Sequence, residues 1–204
     1  LWKEEHPGLK VVCYVNTSAE VKAESDICCT SSNAAAVVTS LGVKEVLFVP
    51  DRNLAAFAAK RTGVNVIAWN GFCRVHDRFT TRDILDRKAA HPGAEVWAHP
   101  ECRPEVAALA DKVISTGKMV TEARTTTSRE VIIVTEKNII HRLKQENPSV
   151  SFIPVRDDAV CINMKKTTVE KVLTALETEE TLVTVPEAIA VRARRTIEAM
   201  LSVS

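Results

Sequence analysis

The chain alternates short, almost purely apolar runs with longer stretches whose apolar positions recur at helical spacing. The apolar runs occupy residues 9–15, 46–49, 64–69, 94–98, 131–134 and 151–155, with two weaker ones beside Asp26 and Asp111. Strands buried on both faces need no polar alternation, so continuous apolar runs separated by helical patterns predict parallel sheets covered on both sides. The predicted fold class is α/β. Residues 165–204 read as helical. There, Thr167 and Glu170 fit a capping box, Pro186 suits the first turn of a second helix, and Ile189, Ile197 and Leu201 are candidate buried positions.

Laid against itself at a shift of about 85 residues, the chain comes into register over two long stretches. His6-Pro7-Gly8 recurs at His91-Pro92-Gly93, Val11 meets Val96, Glu20-Val21 meets Glu105-Val106, and Asp26 meets Asp111. Further on, residues 44–49 meet 129–134, and Asp51-Arg52-Asn53-Leu54 meets Glu136-Lys137-Asn138-Ile139. One ungapped shift across both stretches indicates duplication. The expected architecture is two pseudo-repeated three-layer αβα domains with short parallel sheets, followed by a helical segment. Their predicted bounds are 1–76, 77–162 and 163–204.

Composition narrows the function. At 204 residues and 46% hydrophobic content, the chain can bury one large core or two small ones. Lys and Arg number 27 against 26 Asp and Glu, and a net charge of +1 supplies no broad field for nucleic acid or anionic membrane. No apolar run approaches the roughly 20 residues of a membrane span, and the first ten lack a signal-peptide pattern, so the expected compartment is the cytoplasm. Six cysteines, with Cys28 and Cys29 adjacent, suit reduced thiols or metal ligands better than a disulfide framework. A first residue other than Met points to a fragment or a processed chain.

Each repeat delivers one cysteine just past its last strand, Cys73 and Cys161, where open α/β sheets usually place ligand chemistry. His76 follows Cys73 by three residues. Neither cysteine has the short-spaced partner of a zinc finger. Two thiolates from different repeats suit an iron-sulfur cluster better, although a free cysteine also serves as a small buried hydrophobe. Cys13, Cys28, Cys29 and Cys102 read as core or wall residues. After the first strand of each copy, Tyr14-Val15-Asn16 stands opposite His99-Pro100-Glu101. Such exchange of polar residues over a persistent apolar frame suits a divergent active site, and turn formation accounts equally for Asn16 and Thr17. Ser31 and the Ser115-Thr116 pair precede helical stretches, where hydroxyls and free N–H groups bind phosphate or carboxylate, or simply cap a helix. Arg192, Arg194 and Arg195 fit a solvated helix face.

Several ordered strings bear a family resemblance. They are residues 14–23, Cys29-Thr30-Ser31-Ser32-Asn33-Ala34, Pro50-Asp51-Arg52-Asn53-Leu54, Gly71-Phe72-Cys73-Arg74-Val75-His76, His99-Pro100-Glu101-Cys102, Ser115-Thr116-Gly117 and residues 161–168. Together they closely resemble the quinolinate synthase family. The resemblance implies three pseudo-symmetric α/β domains, each giving one cysteine to a central 4Fe-4S cluster. Cys73 and Cys161 match the second and third ligands, while the first is expected from an N-terminal domain outside this sequence. The resemblance further implies catalytic roles for Tyr14, His76, His99 and Glu101, and substrate contacts for Asn16, Ser31, Ser115 and Thr116. The implied reaction condenses iminoaspartate with dihydroxyacetone phosphate to quinolinate, phosphate and water in NAD biosynthesis. A functional link to an L-aspartate oxidase or aspartate dehydrogenase is implied as well. One departure stands out: Arg124 replaces the family's usual Lys, and Arg does not readily carry protons.

Three functional readings follow. The chain is a fragment of a working quinolinate synthase, a truncated non-catalytic paralogue that binds small carboxylates or phosphate, or an unrelated phosphate-binding α/β domain with structural cysteines. The ordered motifs argue against the third.

Overall fold

A computed structural model of the chain describes residues 2–203. After a short helix α1 (Trp2–Glu5), the first repeat runs β1 (Lys10–Tyr14), α2 (Ala19–Ala23), β2 (Ile27–Cys29), α3 (Ala34–Ser40), β3 (Glu45–Val49), α4 (Arg52–Thr62) and β4 (Asn65–Ala68). Helix α5 (Thr81–Ala90) leads to the second repeat. That repeat comprises β5 (Glu95–Ala98), α6 (Pro104–Ala107), β6 (Lys112–Val113), α7 (Thr116–Thr125), β7 (Glu130–Val134), α8 (Ile139–Glu146) and β8 (Ser151–Pro154). The two sheets are all-parallel and share one topology, β2-β1-β3-β4 and β6-β5-β7-β8. The expected α/β class and the duplication are both realised.

The register identities have physical causes. Asp26 Oδ2 accepts the Val11 N–H at 2.9 Å while its own N–H donates to the Val11 carbonyl, also at 2.9 Å. Asp111 repeats this with Val96 at 2.8 and 2.9 Å. Each aspartate thereby closes the turn that brings the edge strand back beside the first strand. On β7, Val131 and Ile133 pack with Trp97, Met119 and Leu143, while Ile132 and Val134 face Val96, Phe79 and Ile84 on the other side. Side chains alternate along a strand, so a run apolar at every position must be covered on both faces.

The C-terminal segment departs from expectation in detail. Its first helix, α9 (Val169–Thr178), is capped by Thr168, whose Oγ1 accepts the Lys171 N–H at 3.3 Å. The cap is therefore one residue later than Thr167, and Lys171 rather than an acid occupies the position a capping box needs. The capping box that does form joins Thr80 and Asp83 at the start of α5. Helix α10 (Glu187–Leu201) follows Pro186, which sits at the N-cap rather than in the first turn. Its inward stripe is Ala193, Thr196 and Met200, with Ile189 and Ile197 half-buried, and Leu201 is 63% exposed. Leu201 lies one helical step beyond the face that docks on α2 and β2, where Thr196 Oγ1 donates to the Lys22 carbonyl at 2.8 Å. Among the described residues, no helix is long and apolar enough to cross a membrane.

Candidate functional site

In each sheet the strand order reverses direction on passing from the first strand to its third, between β1 and β3 and between β5 and β7. A reversal of this kind opens a crevice at the carboxyl ends of the strands. Loops from both crevices meet across the seam between the repeats. His76 Nε2 lies 2.8 Å from Thr135 Oγ1, Ser32 Oγ lies 2.6 Å from Ser115 Oγ, and Asn53 Nδ2 donates to the Glu101 carbonyl at 3.0 Å. Arg78 reaches Asp158 at 3.0 Å, tying the segment after Cys73 to the loop before Cys161. Val75 and Phe79 share a small cleft with Ala159 and Val160.

At the centre, ligand-capable atoms of Cys73, His76 and Glu101 all lie within 4.8 Å of one another. Glu101 Oε2 stands 3.3 Å from Nδ1 of both His76 and His99, and the two imidazoles stack at 4.4 Å between centroids. The Glu101 backbone N–H donates to His99 Nδ1 at 3.2 Å. That nitrogen is therefore an acceptor, which leaves the proton of neutral His99 on Nε2. Burial holds both rings neutral: His76 is pushed down to about 4, and His99 to about 3, where repulsion between the two rings if both were protonated adds to burial and Glu101 opposes. Burial raises Glu101 above the usual carboxylate range, opposed by His99. His76 Nδ1 is fully buried and has no hydrogen-bond partner despite its nearness to Glu101. An orphaned buried nitrogen beside a carboxyl and a thiol is costly unless a bound group completes it.

Tyr14 ends β1 and is 93% buried, its phenol pushed well up by burial and then by the charge of Glu101, with a hydrogen bond from Ser31 opposing. Tyr14, Ser31, His76, His99 and Glu101 are thus brought to one place. Ser31 and Ser115 also line a groove of about 400 Å³ between the repeats, together with Ser32, Phe57, Arg61 and Lys118. Ser115 is the N-cap of α7, accepting the Lys118 N–H at 3.3 Å, and Thr116 follows it exposed at the first helical position. Asn16 is exposed beside Tyr14 on the loop after β1. Of the six cysteines, Cys73 and Cys161 are the two that are not buried, while Cys13, Cys28, Cys29 and Cys102 are core residues. Arg124 pairs with Glu146 at 2.7 Å on the outer side of α7, about 13 Å along the helix axis from Ser115.

The family profile described as Quinolinate synthetase A protein matches residues 1–202. The chain belongs to the quinolinate synthetase A family. It is 54% identical over 202 residues to a quinolinate synthase of Dehalococcoides mccartyi, covering 99% of this chain and 67% of the relative. A quinolinate synthase of Methanoregula boonei is 54% identical over 200 residues, covering 98% of this chain and 66% of the relative. Quinolinate synthase 2 of Methanosarcina acetivorans is 51% identical over 202 residues, covering 99% and 65%. The chain thus spans about two-thirds of the length of these family members.

Thr135, Asp51, Asn53, Asp77 and Arg103, none of them among the expected site residues, brace the cluster of Cys73, His76 and Glu101. Asp51 accepts the Cys73 N–H at 2.8 Å, and Asp77 accepts from Arg52, Asn53 and Arg103. The signal available was the repeat register itself, in which Asp51-Arg52-Asn53 stands at the strand-to-helix turn facing the site.

Proposed function

We propose that this chain forms two domains of a quinolinate synthase that condenses iminoaspartate with dihydroxyacetone phosphate, and that the His76–Glu101–His99 cluster moves protons in that reaction. The observation that carries the reading is one carboxyl, raised by burial, set 3.3 Å from two imidazoles held neutral by the same burial. General acid–base catalysis is most effective when the proton carrier titrates near the working pH, and burial moves Glu101 toward it from the acid side. Glu101 Oε2 takes or returns the proton. His99 keeps its proton on Nε2, and Tyr14 stays protonated and donates from the phenol. Ser31 and Asn16 lie beside Tyr14, and Ser115 and Thr116 open α7, so these hydroxyl, amide and N–H groups suit carboxylate or phosphate.

The family cofactor, a 4Fe-4S cluster, fits the donor set. Cys73 and Cys161 are the two unburied thiols and lie on loops tied together through Arg78 and Asp158, and Cys73 groups with His76 and Glu101 within 4.8 Å, with Cys161 outside that group. These two cysteines would hold the cluster, with a further ligand from outside the chain. When bound, the cluster would supply Lewis-acid chemistry to the substrate. We further propose that iminoaspartate reaches the protein from an L-aspartate oxidase or aspartate dehydrogenase, and that the enzyme works in the cytoplasm.

The test is Glu101→Gln in the complete, cluster-loaded enzyme. Quinolinate formation should fall by at least about 100-fold while the cluster spectrum persists. Unchanged turnover would remove Glu101 from the mechanism.

A further inference from the structure

Three consecutive residues at the start of α4 each reach a different part of the site. Asp51 is 97% buried; its Oδ1 caps the helix by accepting the Leu54 N–H at 2.7 Å, and its Oδ2 accepts the Cys73 N–H at 2.8 Å. Arg52 donates to Asn70 Oδ1 at 2.8 Å and to Asp77 at 3.2 Å, and its guanidinium lies 4.6 Å from the centre of the Phe72 ring. Asn53, 96% buried, sends its single NH₂ group two ways, to Asp77 Oδ1 and to the Glu101 carbonyl oxygen, both at 3.0 Å. Arg103 closes the ring from the second repeat by donating to Asp77 Oδ2 at 3.1 Å.

The consequence is geometric. Asp77 follows His76 directly, so the amide that holds Asp77 holds the turn carrying His76, and the same amide holds the backbone of Glu101 across the seam. We infer that Asn53 is a positioning residue that sets the spacing between Glu101 and the His76–Cys73 segment by joining the Asp77 carboxylate, next to His76, to the backbone carbonyl of Glu101. This inference rests on the reading that Glu101 moves protons. The second repeat argues that the bridge is not a mere by-product of the strand-to-helix turn. There the register-equivalent Asn138 folds its amide back onto Glu136 Oε1 at 2.7 Å, within its own turn. A turn of this kind forms without spending its asparagine on a neighbouring domain.

A purely structural role predicts lost stability with normal chemistry in whatever folds. A positioning role predicts lost chemistry in a folded enzyme, because displacements of about 1 Å at a reacting group cost on the order of 100-fold in rate. The experiment uses the complete, cluster-loaded enzyme with Asn53→Ala and Asn53→Ser, assayed well below each variant's melting temperature, with Glu101→Gln alongside. For Asn53→Ala, kcat should fall about 100-fold. KM for dihydroxyacetone phosphate should stay within a few-fold, and the substrate-free spectrum of the reduced cluster should match the parent. Asn53→Ser, which retains one donor, should fall between the alanine variant and the parent, and it supplies the reading if the alanine variant does not fold. Wild-type kcat in either folded, cluster-loaded variant overturns the inference, as does a rise in KM with kcat unchanged. If Glu101→Gln is inactive while Asn53→Ala is normal, only the positioning role fails. If Glu101→Gln turns over normally, the proton-transfer reading itself fails.

Discussion

Gly71 occupies a place where a side chain cannot go, because an added Cβ would collide with the carbonyl oxygen of Pro50. The close approach has a purpose visible two residues later. Arg52 N–H donates to the Gly71 carbonyl at 2.9 Å and Asp51 accepts the Cys73 N–H at 2.8 Å, so the loop is fastened to the start of α4 on either side of Phe72. Gly71→Ala should lift this loop. The expected outcome is a fall in melting temperature and at least a several-fold loss of iron and sulfide bound by the complete enzyme, read by metal analysis. Normal iron content in a folded variant would show that Cys73 does not depend on this latch. Residue identity foretold the cysteine but not the latch, because a glycine before a loop cysteine has the same sequence signature whether it allows a turn, a close approach or neither.

At the level of the element, the repeat is held by a small device used twice, an aspartate that bonds both backbone groups of the residue opposite. For Asp26, burial alone would raise the carboxyl, but the Val11 N–H and Lys10 outweigh it and hold the group below its usual range. A carboxyl depressed in the folded state adds stability above the unfolded pKa of about 4, and loses that contribution as pH falls through the folded value. Asp26→Asn should therefore lower stability at pH 7, by less than about 1 kcal/mol because solvent screens the exposed Lys10 pair. The gap to wild type should close below about pH 4, as read from melting temperatures of the two proteins. A gap that stays constant across that range would mean the carboxylate charge contributes nothing. Strand positions were legible because runs such as residues 131–134 are apolar at every position and end at polar turns. Helix boundaries in the C-terminal segment were less so. Thr167 and Thr168 are adjacent and chemically equal, and only the backbone decides which one caps α9.

Over the whole molecule, the two sheets meet through polar side chains at the carboxyl ends of their strands, and α9 stands apart from both. None of its residues is buried, and Val169, Leu173 and Leu176 are exposed. A helix of ten residues without tertiary packing is marginal in water. For this polypeptide by itself, amide exchange in α9 should run close to the rate of unstructured peptide while β3 and β7 remain strongly protected, as measured by hydrogen exchange. Protection of α9 comparable to the strands would show that it packs on a surface of this chain. The chain's own pattern was enough to determine an α/β fold, a duplicated unit, and the strand ends where chemistry collects, since all three follow from local periodicity and from one register shift. It also marked Tyr14, His99 and Glu101 as polar residues at those ends and His76 by its spacing from Cys73, while their catalytic roles came only from the family resemblance. Only the tertiary structure decided that Glu101 stands between two neutral histidines, that Asn53 spans the seam, and that Cys73 and Cys161 alone among six thiols stay out of the core. Burial, which sets the charge of those histidines, and the meeting of segments distant along the chain arise from how elements pack, and no local pattern of residues encodes either.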